Sequence, residues 1–322
     1  MSGATELHRE ARGGGRPHIA AVVVNWNSGD RLARCVASLE AQCNDVNLDL
    51  VVVDNASTDG SLAGLASGQD SPRILQTGRN LGYGSAVNRG IAETNAPYVV
   101  VLNPDVRLES GVLQRLAACL DADDARGLVG PRLRTPAGAI QASCGTAPTL
   151  WGEVCGRFLL HLILPCLKFR RRCPSELEPV GWVTGACFMA RRSALQAVGG
   201  LDEAIFMYYE DIDLCLRLQM AGWQVCYLPE AEASHVGGAS SRQVLEHMLV
   251  ASEESYGHFA RRHFGRFGSV VLSVLMPVEM VLRSLLWHVV CLVRPGRREE
   301  ARARLRAYRR LACQDVKRAF AK

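Results

Sequence analysis

The segment MYYEDIDL at residues 207–214 carries a dense group of carboxylates. Glu210, Asp211 and Asp213 stand at the start of a predicted helix, and His235 follows later in the glycine-rich stretch HVGG. Carboxylates this close repel one another, which is unusual in a purely structural segment. They suit a site that takes a proton from a hydroxyl while a leaving group departs from a metal ion.

Asp211 is the candidate general base in this segment. A helix N-terminus favours the charged form of an acid, so we expect Asp211 to be ionised at neutral pH. Asp213 lies four positions before Arg217, and a pair on the helix surface would explain it structurally. Glu210 also admits a structural explanation, whereas Asp211 fits one less well.

The sequence NPD at residues 103–105 has the pattern of a metal-binding Asp-x-Asp in which the amide Asn103 replaces the first acid. Asp105 can bind a divalent cation if diphosphate oxygens, waters and a further protein ligand complete the shell. A lone histidine is usually structural. His235, however, stands at a predicted strand end after an acidic cluster, which favours a role as that further ligand.

Alternating apolar runs and helical patterns indicate the elements that position these residues. A run, a helix and a second run form a βαβ unit, which implies a parallel sheet. The predicted strands occupy residues 19–24, 48–53, 73–76 and 98–102, and the helices between them occupy 30–42 and 82–94.

Polar side chains follow three of these strands, at the edge where open α/β sheets bind ligands. They are Asn25, Asn27, Asp54, Asn55, Asn103 and Asp105. Asp54 could accept hydrogen bonds from a ribose hydroxyl or a base N–H, or it could cap the element that follows. The sequence alone leaves these two explanations equal.

The glycine-rich stretch GRNLGYGSAVNRG at residues 78–90 leads into a predicted helix. Such a turn lets backbone approach a ligand, and a helix N-terminus favours phosphate. Its glycine spacing is neither that of a dinucleotide-binding fingerprint nor that of a P-loop. The stretch therefore argues against a dehydrogenase and against a P-loop nucleotidase.

The second half of the chain has a different pattern. Helices are predicted over residues 211–221 and 242–264. An apolar segment over residues 150–169 ends in the basic sequence KFRRR. A second apolar segment at 267–293 could span a bilayer, but Glu279 and Arg283 interrupt it and, four positions apart, can pair on one helix face. A helix or hairpin lying in the interface is therefore favoured over a spanning helix, and a buried core hairpin stays open. Strands are predicted at residues 127–131, 132–142, 180–190, 224–228 and 232–235.

Composition narrows the class of protein. The 322 residues are 48% hydrophobic, and twelve scattered cysteines without metal spacing indicate small buried side chains in a reducing compartment. The net charge of +5 comes from the C-terminus, where residues 294–322 hold eleven Lys or Arg and three Asp or Glu. A basic tail beside an apolar segment favours an anionic membrane surface over nucleic acid.

These features together resemble the inverting family-2 glycosyltransferases of GT-A fold, and within them the bacterial rhamnosyltransferases. Each motif is weak alone, but their order over residues 19–240 is specific. The motifs are VVVNWN at 22–27, VDNASTDGS at 53–61, RNLGYG at 79–84, LNPD at 102–105, GWVTGA at 181–186, YEDIDL at 209–214, AGW at 221–223 and HVGG at 235–238.

The resemblance implies a role for each group of site residues. Asn27, Asp54, Asn80 and Asn103 would bind the donor nucleotide. Asp105 and His235 would hold Mg²⁺ or Mn²⁺, Asp211 would be the base with Glu210 beside it, and the sugar and acceptor side would be lined by Trp182, Thr184, Gly185 and Ala186.

The resemblance also implies an architecture and a setting. The fold would be a Rossmann-like, mostly parallel sheet flanked by helices, followed by membrane-associated helices. We expect a disordered leader at 1–17, with no signal peptide, a catalytic domain at 18–240 and a basic helical region at 241–322. The catalytic domain would divide into a nucleotide half at 18–125 and an acceptor half at 126–240 with an amphipathic insertion at 150–172.

The resulting functional prediction is transfer of L-rhamnose from dTDP-rhamnose to a lipid-linked or cell-envelope glycan, at the cytoplasmic face of the bacterial inner membrane. Two alternatives stay open, namely another nucleotide sugar such as a UDP-hexose or GDP-mannose, and a non-catalytic module that binds sugar nucleotides. A membrane scaffold is disfavoured because the polar strand ends are intact.

Overall fold

A computed structural model describes residues 15–65, 71–158, 171–237 and 245–320 of the chain. The described residues form two compact units. The first lies within Met1–Ala147, Arg170–Glu203 and Glu210–Ala239, and the second within Pro148–Phe169, Ala204–Tyr209 and Ser240–Lys322. The expected leader at 1–17 falls almost entirely outside the described residues.

The parallel half of the first unit follows the predicted βαβ pattern. Strands β1 to β4 stand in the order β3-β2-β1-β4 and are parallel to one another. Their bounds are β1 His18–Asn25, β2 Asn47–Asp54, β3 Arg73–Gln76 and β4 Tyr98–Leu102, with α1 Arg31–Glu40 and α2 Tyr83–Ala92 between them. The predicted strands and helices of this half are confirmed within two residues at each end.

The sheet continues beyond β4 with mixed strand directions. The order is β10-β13-β6-β12-β4, in which β12 is antiparallel to both neighbours and β13 is parallel to β6. A small second sheet has the order β11-β8-β9. The remaining elements of the first unit are β5 Val106–Leu108, α3 Val112–Asp121, β6 Arg126–Arg134, β7 Ile140–Gln141, β8 Cys144–Gly145, β9 Arg171–Arg172, β10 Glu178–Pro179, β11 Trp182–Val183, β12 Cys187–Arg191, α5 Arg192–Val198, α6 Glu210–Met220 and β13 Gln224–His235.

Several predicted boundaries in this half are wrong. The strand predicted at 180–190 is two strands in different sheets, β11 in the small sheet and β12 in the large one, joined by a loop at residues 184–186. The strands predicted at 224–228 and 232–235 are one strand, β13, whose register shifts between Leu228 and Glu232. The break predicted between residues 131 and 132 is wrong, because the single strand β6 runs through this position. Helices α3 and α5 were not predicted.

The core of the first unit lies between the large sheet and its helices. Leu32 of α1 and Leu113 and Leu116 of α3 are fully buried in the same cluster as alternate residues of β1 and β4. Burial of a leucine side chain stabilises the fold by about 1.5–3 kcal/mol. This packing holds the strand ends that carry the polar residues.

Three α-helices lie in the described part of the second unit, namely α4 Leu150–Arg157, α7 Leu245–Val293 and α8 Arg298–Phe320. The break predicted between residues 264 and 267 is a kink at Gly265, where φ is 64°. Helices α7 and α8 pack through Val250, Met280, Tyr308 and Leu311. The amphipathic insertion predicted at 150–172 begins with α4, and its residues 159–170 lie outside the described residues.

A buried ionic cluster links α4 to α7. The Arg157 guanidinium lies 2.6 Å from the Glu279 carboxylate and 3.2 Å from that of Glu253, and it stacks on the Tyr256 ring. Arg283 also pairs with Glu279 at 2.6 Å. Glu279 is only 1% exposed. The predicted pairing of Glu279 and Arg283 is therefore confirmed, and Arg157 from α4 joins it.

Candidate active site

Asp211 lies in the first turn of α6 and is oriented by two backbone donors. The Gly185 N–H donates to Oδ2 of Asp211 at 2.7 Å, and the Ile212 N–H donates to Oδ1 at 2.8 Å. Asp211 is half-buried, whereas its neighbours Glu210 and Asp213 are buried. Of the three acids, Asp211 is therefore both oriented and accessible.

The loop at residues 184–186 connects three parts of the site. Besides holding Asp211, it accepts a hydrogen bond from the Asn103 N–H at the Ala186 carbonyl, 2.9 Å away. The Tyr83 hydroxyl donates to the Gly185 carbonyl at 2.7 Å. A Cβ added to Gly185 would lie 3.3 Å from the Cβ of Asp211, so glycine allows this close approach.

Tyr83 lies in a neighbourhood of negative charge at the start of α2. Burial first, and then the charges of Glu210, Asp211 and more weakly Asp105, raise its pKa well above the ordinary value. The loop that holds Asp211 also accepts a hydrogen bond from the Asn103 N–H, two residues before Asp105, so the predicted base and the predicted metal ligand lie on connected segments of the first unit.

The other two acids of α6 have different environments. Asp213 pairs with the Arg217 Nε at 2.7 Å, as the four-residue spacing predicts, but the pair is buried and does not lie on the helix surface as predicted. The Arg217 guanidinium also donates to the carbonyls of Val198 and Gly200, which attaches α6 to the loop after α5. Burial, and secondly the charge of Asp211, raises the pKa of Glu210 to about 8.

Asp105 and His235 face each other across adjacent strand ends. The His235 Nε2 lies 3.4 Å from the Asp105 Oδ1, and the Gly237 N–H donates to the Asp105 Oδ2 at 3.0 Å. Burial alone would raise the pKa of Asp105, but the His235 ring and the Gly237 N–H outweigh it and lower that pKa. Gln141 contacts the other side of the His235 ring at 2.9 Å.

The structure therefore brings together one carboxylate and one imidazole. Within the described ranges, no group of three or more His, Cys, Asp and Glu side chains could hold a metal ion. A cation at this pair would need further ligands from a substrate or from water.

On the nucleotide side, Asp54 is 5% exposed and bonded within the protein. Its carboxylate accepts from the Asn25 amide at 2.8 Å and from the Ser57 N–H at 3.2 Å. The amide oxygen of Asn27 accepts a hydrogen bond from the Thr58 N–H at 2.8 Å. The backbone of Asn27 has a φ of 48°. These bonds fix the loops after β1 and β2 against each other.

Asn80 is exposed and shapes the glycine-rich turn before α2. Its amide oxygen accepts from the Gly82 N–H at 3.0 Å and from the Asn55 amide at 2.9 Å. The φ of Gly82 is 85°, a conformation that favours glycine. Asn80 is thus held close to the ends of β2 and α2.

The remaining predicted residues divide between the surface of the loop and the core. Thr184 is half-buried in the loop, whereas Trp182 is 5% exposed within β11. Sequence reasoning missed Tyr83 and Gln141 as site residues. Tyr83 stood inside a quoted motif without a role, and no local spacing pointed to Gln141.

The family model described as "Glycosyl transferase family 2" matches residues 20–199, more than half of the chain. An N-acetylglucosaminyl-diphospho-decaprenol L-rhamnosyltransferase of Mycobacterium tuberculosis is 33% identical over 88% of this chain and 96% of its own length. The chain belongs to glycosyl transferase family 2. It is therefore a glycosyltransferase, as the ordered motifs predict.

A more distant sequence relative and a solved structure are also similar to this family-2 glycosyltransferase. The low-salt glycan biosynthesis hexosyltransferase Agl10 of Haloferax volcanii is 25% identical over 83% of this chain and 84% of its own length. A mannosyltransferase from Pyrobaculum calidifontis, solved with GDP-Man and Mn²⁺, superposes with a TM-score of 0.51 and 16% identity over 94% of this chain and 88% of its own. The structural likeness supports the GT-A fold.

Proposed function

We propose that this glycosyltransferase transfers L-rhamnose from dTDP-rhamnose to a lipid-linked acceptor by direct, inverting displacement, with Asp211 as the general base. The observation that carries the proposal is the Asp211 carboxylate, which two N–H donors orient within the neighbourhood shared by Tyr83 and Asp105. An oriented, accessible carboxylate is what removal of a proton from a hydroxyl requires.

The proposed reaction is a single displacement at the anomeric carbon of the donor. The acceptor hydroxyl oxygen forms a bond to the anomeric carbon of the donor as its proton passes to Asp211. The bond between that carbon and the diphosphate oxygen breaks, and the nucleoside diphosphate leaves with the electron pair. Glu210 lies beside the base, and burial, followed by the charge of Asp211, raises the pKa of its carboxyl.

The residues present fit a divalent cation, Mg²⁺ or Mn²⁺, at Asp105 and His235. The fit rests on the buried His235 Nε2, which has no hydrogen-bond partner among the described residues and faces the Asp105 carboxylate. When bound, such a cation stabilises negative charge on the departing diphosphate. Asn103, as a neutral amide, contributes less attraction than a second acid would.

We propose that the remaining polar residues divide between the two substrates. Asn27, Asp54, Asn80 and Asn103 would line the nucleotide side, partly through the loops they hold. Trp182, Thr184, Gly185 and Ala186 would line the sugar and acceptor side.

Rhamnose and a lipid diphosphate acceptor are favoured by one relative. The Mycobacterium tuberculosis protein named for L-rhamnosyl transfer to N-acetylglucosaminyl-diphospho-decaprenol covers nearly all of this chain. The alternatives are a UDP-hexose or GDP-mannose as donor. A binding module without catalysis is disfavoured because Asp211 and His235 are both present.

The test is release of nucleoside diphosphate from a panel of nucleotide sugars, with Mg²⁺, Mn²⁺ or EDTA. Each reaction is run with polyprenyl-diphospho-GlcNAc and with the matched polyprenyl phosphate as control acceptor. We expect metal-dependent release from dTDP-rhamnose that only the GlcNAc lipid accelerates. Transfer from UDP-hexose or GDP-mannose alone would replace the donor, and binding without release from any donor would favour the binding module.

We further propose that the helical region at 241–322 lies in the interface of the cytoplasmic face of the inner membrane. One side of α7 exposes a long row of large apolar residues. The row contains Phe267, Val270, Val274, Val278, Val281, Leu285, Val289 and Leu292. Arginines at 302, 306, 309 and 310 of α8 are exposed and suit anionic headgroups.

Among the described helices, one is long and apolar enough to cross a bilayer, namely α7. We favour the interface because the opposite side of α7 packs on α8 and carries the buried Glu279. The double variant L285E/V289E should lose co-sedimentation with anionic vesicles. The control M220E, at an apolar residue that is 81% exposed in the other unit, should not. Resistance to alkaline carbonate extraction would instead indicate a spanning helix.

A further inference from the structure

Gln141 makes two hydrogen bonds to a single residue, His235, across 94 positions of sequence. Its Oε1 lies 2.9 Å from the His235 Nδ1, and its Nε2 donates to the His235 carbonyl at 3.0 Å. Gln141 ends the two-residue strand β7, which pairs with β6. Both ends of one side chain are therefore used on the backbone and the ring of the same histidine.

These two bonds fix the protonation pattern of the ring. A backbone carbonyl can only accept, so the end of the Gln141 amide that faces it must be the NH₂ group. The oxygen of the amide consequently faces the His235 Nδ1, and this oxygen can only accept as well. In the neutral ring the proton is therefore on Nδ1, and the lone pair is on Nε2.

The Nε2 lone pair then points at a second acceptor. The Nε2 atom lies 3.4 Å from the Asp105 Oδ1. The other oxygen of that carboxylate accepts a hydrogen bond from the Gly237 N–H. A Cβ at Gly237 would lie 3.6 Å from the His235 Cε1 and 3.8 Å from the Gln141 Nε2, and its φ is 75°. Glycine thus lets the chain turn beside the ring.

We propose that Gln141 is a positioning residue that holds the His235 ring with Nδ1 protonated, so that Nε2 is presented as a metal ligand beside Asp105. The proposal rests on the metal role of Asp105 and His235 given above. A hydrogen bond from the second ring nitrogen of a ligating histidine fixes its tautomer and orientation, and losing such a partner typically weakens metal binding by about 10–100-fold.

The first test reads the tautomer directly, without metal. ¹⁵N spectra of histidine-labelled protein are recorded about two pH units above the ordinary histidine pKa. Because the chain has eight histidines, the H235Q variant assigns the His235 signals. We expect Nδ1–H in the wild type and in Q141E, which keeps the acceptor. We expect loss of that single form in Q141L, which removes both bonds at similar volume.

The second test measures Mn²⁺ affinity with a nucleoside diphosphate present, from the electron paramagnetic resonance signal of free Mn²⁺. Q141L should bind about 10–100-fold more weakly, while the exposed neighbour variant I140T, on the same strand, should bind normally. Circular dichroism and the melting temperature check that each variant folds.

The outcomes separate this inference from the function on which it rests. Equal tautomer and equal Mn²⁺ affinity in Q141L and wild type would overturn the role of Gln141. A wild type that binds no Mn²⁺ would overturn the metal role, and with it the presentation of a ligand. In that case the tautomer spectra would still decide whether Gln141 orients the ring.

Discussion

The first turn of α6 and the α4–α7 contact both bury carboxylates, but they balance the charge differently. At the start of α6, three acids stand beside one arginine, and that arginine pairs with Asp213. Glu210 is 6% exposed and its Oε2 has no hydrogen-bond partner among the described residues. Asp211 accepts hydrogen bonds from two backbone N–H groups.

In the α4–α7 contact, cations match the acids. Arg157 lies between Glu253 and Glu279, and Arg283 also pairs with Glu279. A third acid, Glu153, has its pKa raised by burial, which reduces the charge it adds.

The difference separates structure from chemistry. Removing one partner of a matched buried pair leaves an uncompensated charge. An intact matched cluster therefore stabilises the contact between α4 and α7. A buried acid such as Glu210, which pairs with no cation among the described residues, costs stability, and its retention is typical of a functional site. The comparison predicts that mutations in the two clusters change different properties of the protein.

The largest effect is expected at Asp211. In D211N the amide cannot take the acceptor proton, so turnover should fall by about 10²–10⁴-fold. Donor binding, measured by calorimetry, should persist. The control D124N, whose side chain is 76% exposed, should turn over normally. Near-normal turnover in D211N would reject Asp211 as the base.

The next effect is expected in the matched cluster. E279L leaves Arg157 and Arg283 without their shared acid and should lower the free energy of unfolding by about 3–5 kcal/mol. The triple variant R157M/E253Q/E279L should recover much of that loss because it removes Arg157 together with the charges of both acids that pair with it. Denaturant titration measures the free energy of unfolding of both variants. Equal stability of the single variant and the wild type would contradict this stabilising role of the cluster.

Glu210 is expected to have the opposite effect on stability, because its substitution should raise the free energy of unfolding. Its pKa is raised from 4.5 to about 8, by burial first and then by Asp211. Between these pH values the folded chain keeps a proton that the unfolded chain releases, so this residue lowers stability as pH rises. E210Q removes that dependence. Its stability relative to wild type should grow between pH 4.5 and 8 and level off above; a constant difference would refute the shift.

The smallest effect is expected at Tyr83. Y83F removes the hydrogen bond to the Gly185 carbonyl and so loosens the loop that orients Asp211. A hydrogen bond of this kind contributes about 0.5–1.5 kcal/mol, which corresponds to a few-fold loss in kcat. The KM for the donor should stay unchanged, and Y308F in the other unit serves as control. A change in KM alone would place Tyr83 in donor binding instead.

The parallel half of the fold was predictable because its strands are continuous aliphatic runs, buried on both sides. Strand β13 was not, because Pro229 falls inside it and the register shift there allows the strand to continue. The break at 184–186 was hidden because Val183 and Cys187 are both apolar and buried.

For the candidate site, residue type and order along the chain indicated Asp105, Asp211 and His235. The residues that orient them were hidden from local patterns. Tyr83 reaches Gly185 across 102 positions, and Gln141 reaches His235 across 94. Contacts of such sequence separation depend on how the sheet is ordered, and no spacing within one segment predicts them.

Strand β13 has a consequence for how the protein is made. It is the last of the described strands along the chain, it carries His235, and it pairs with β5, next to Asp105, through Val106. A growing polypeptide can therefore form β1 to β4 early, but it cannot join Asp105 to His235 until β13 has left the ribosome. The nascent chain thus stays without its complete site until synthesis has passed the whole catalytic sheet.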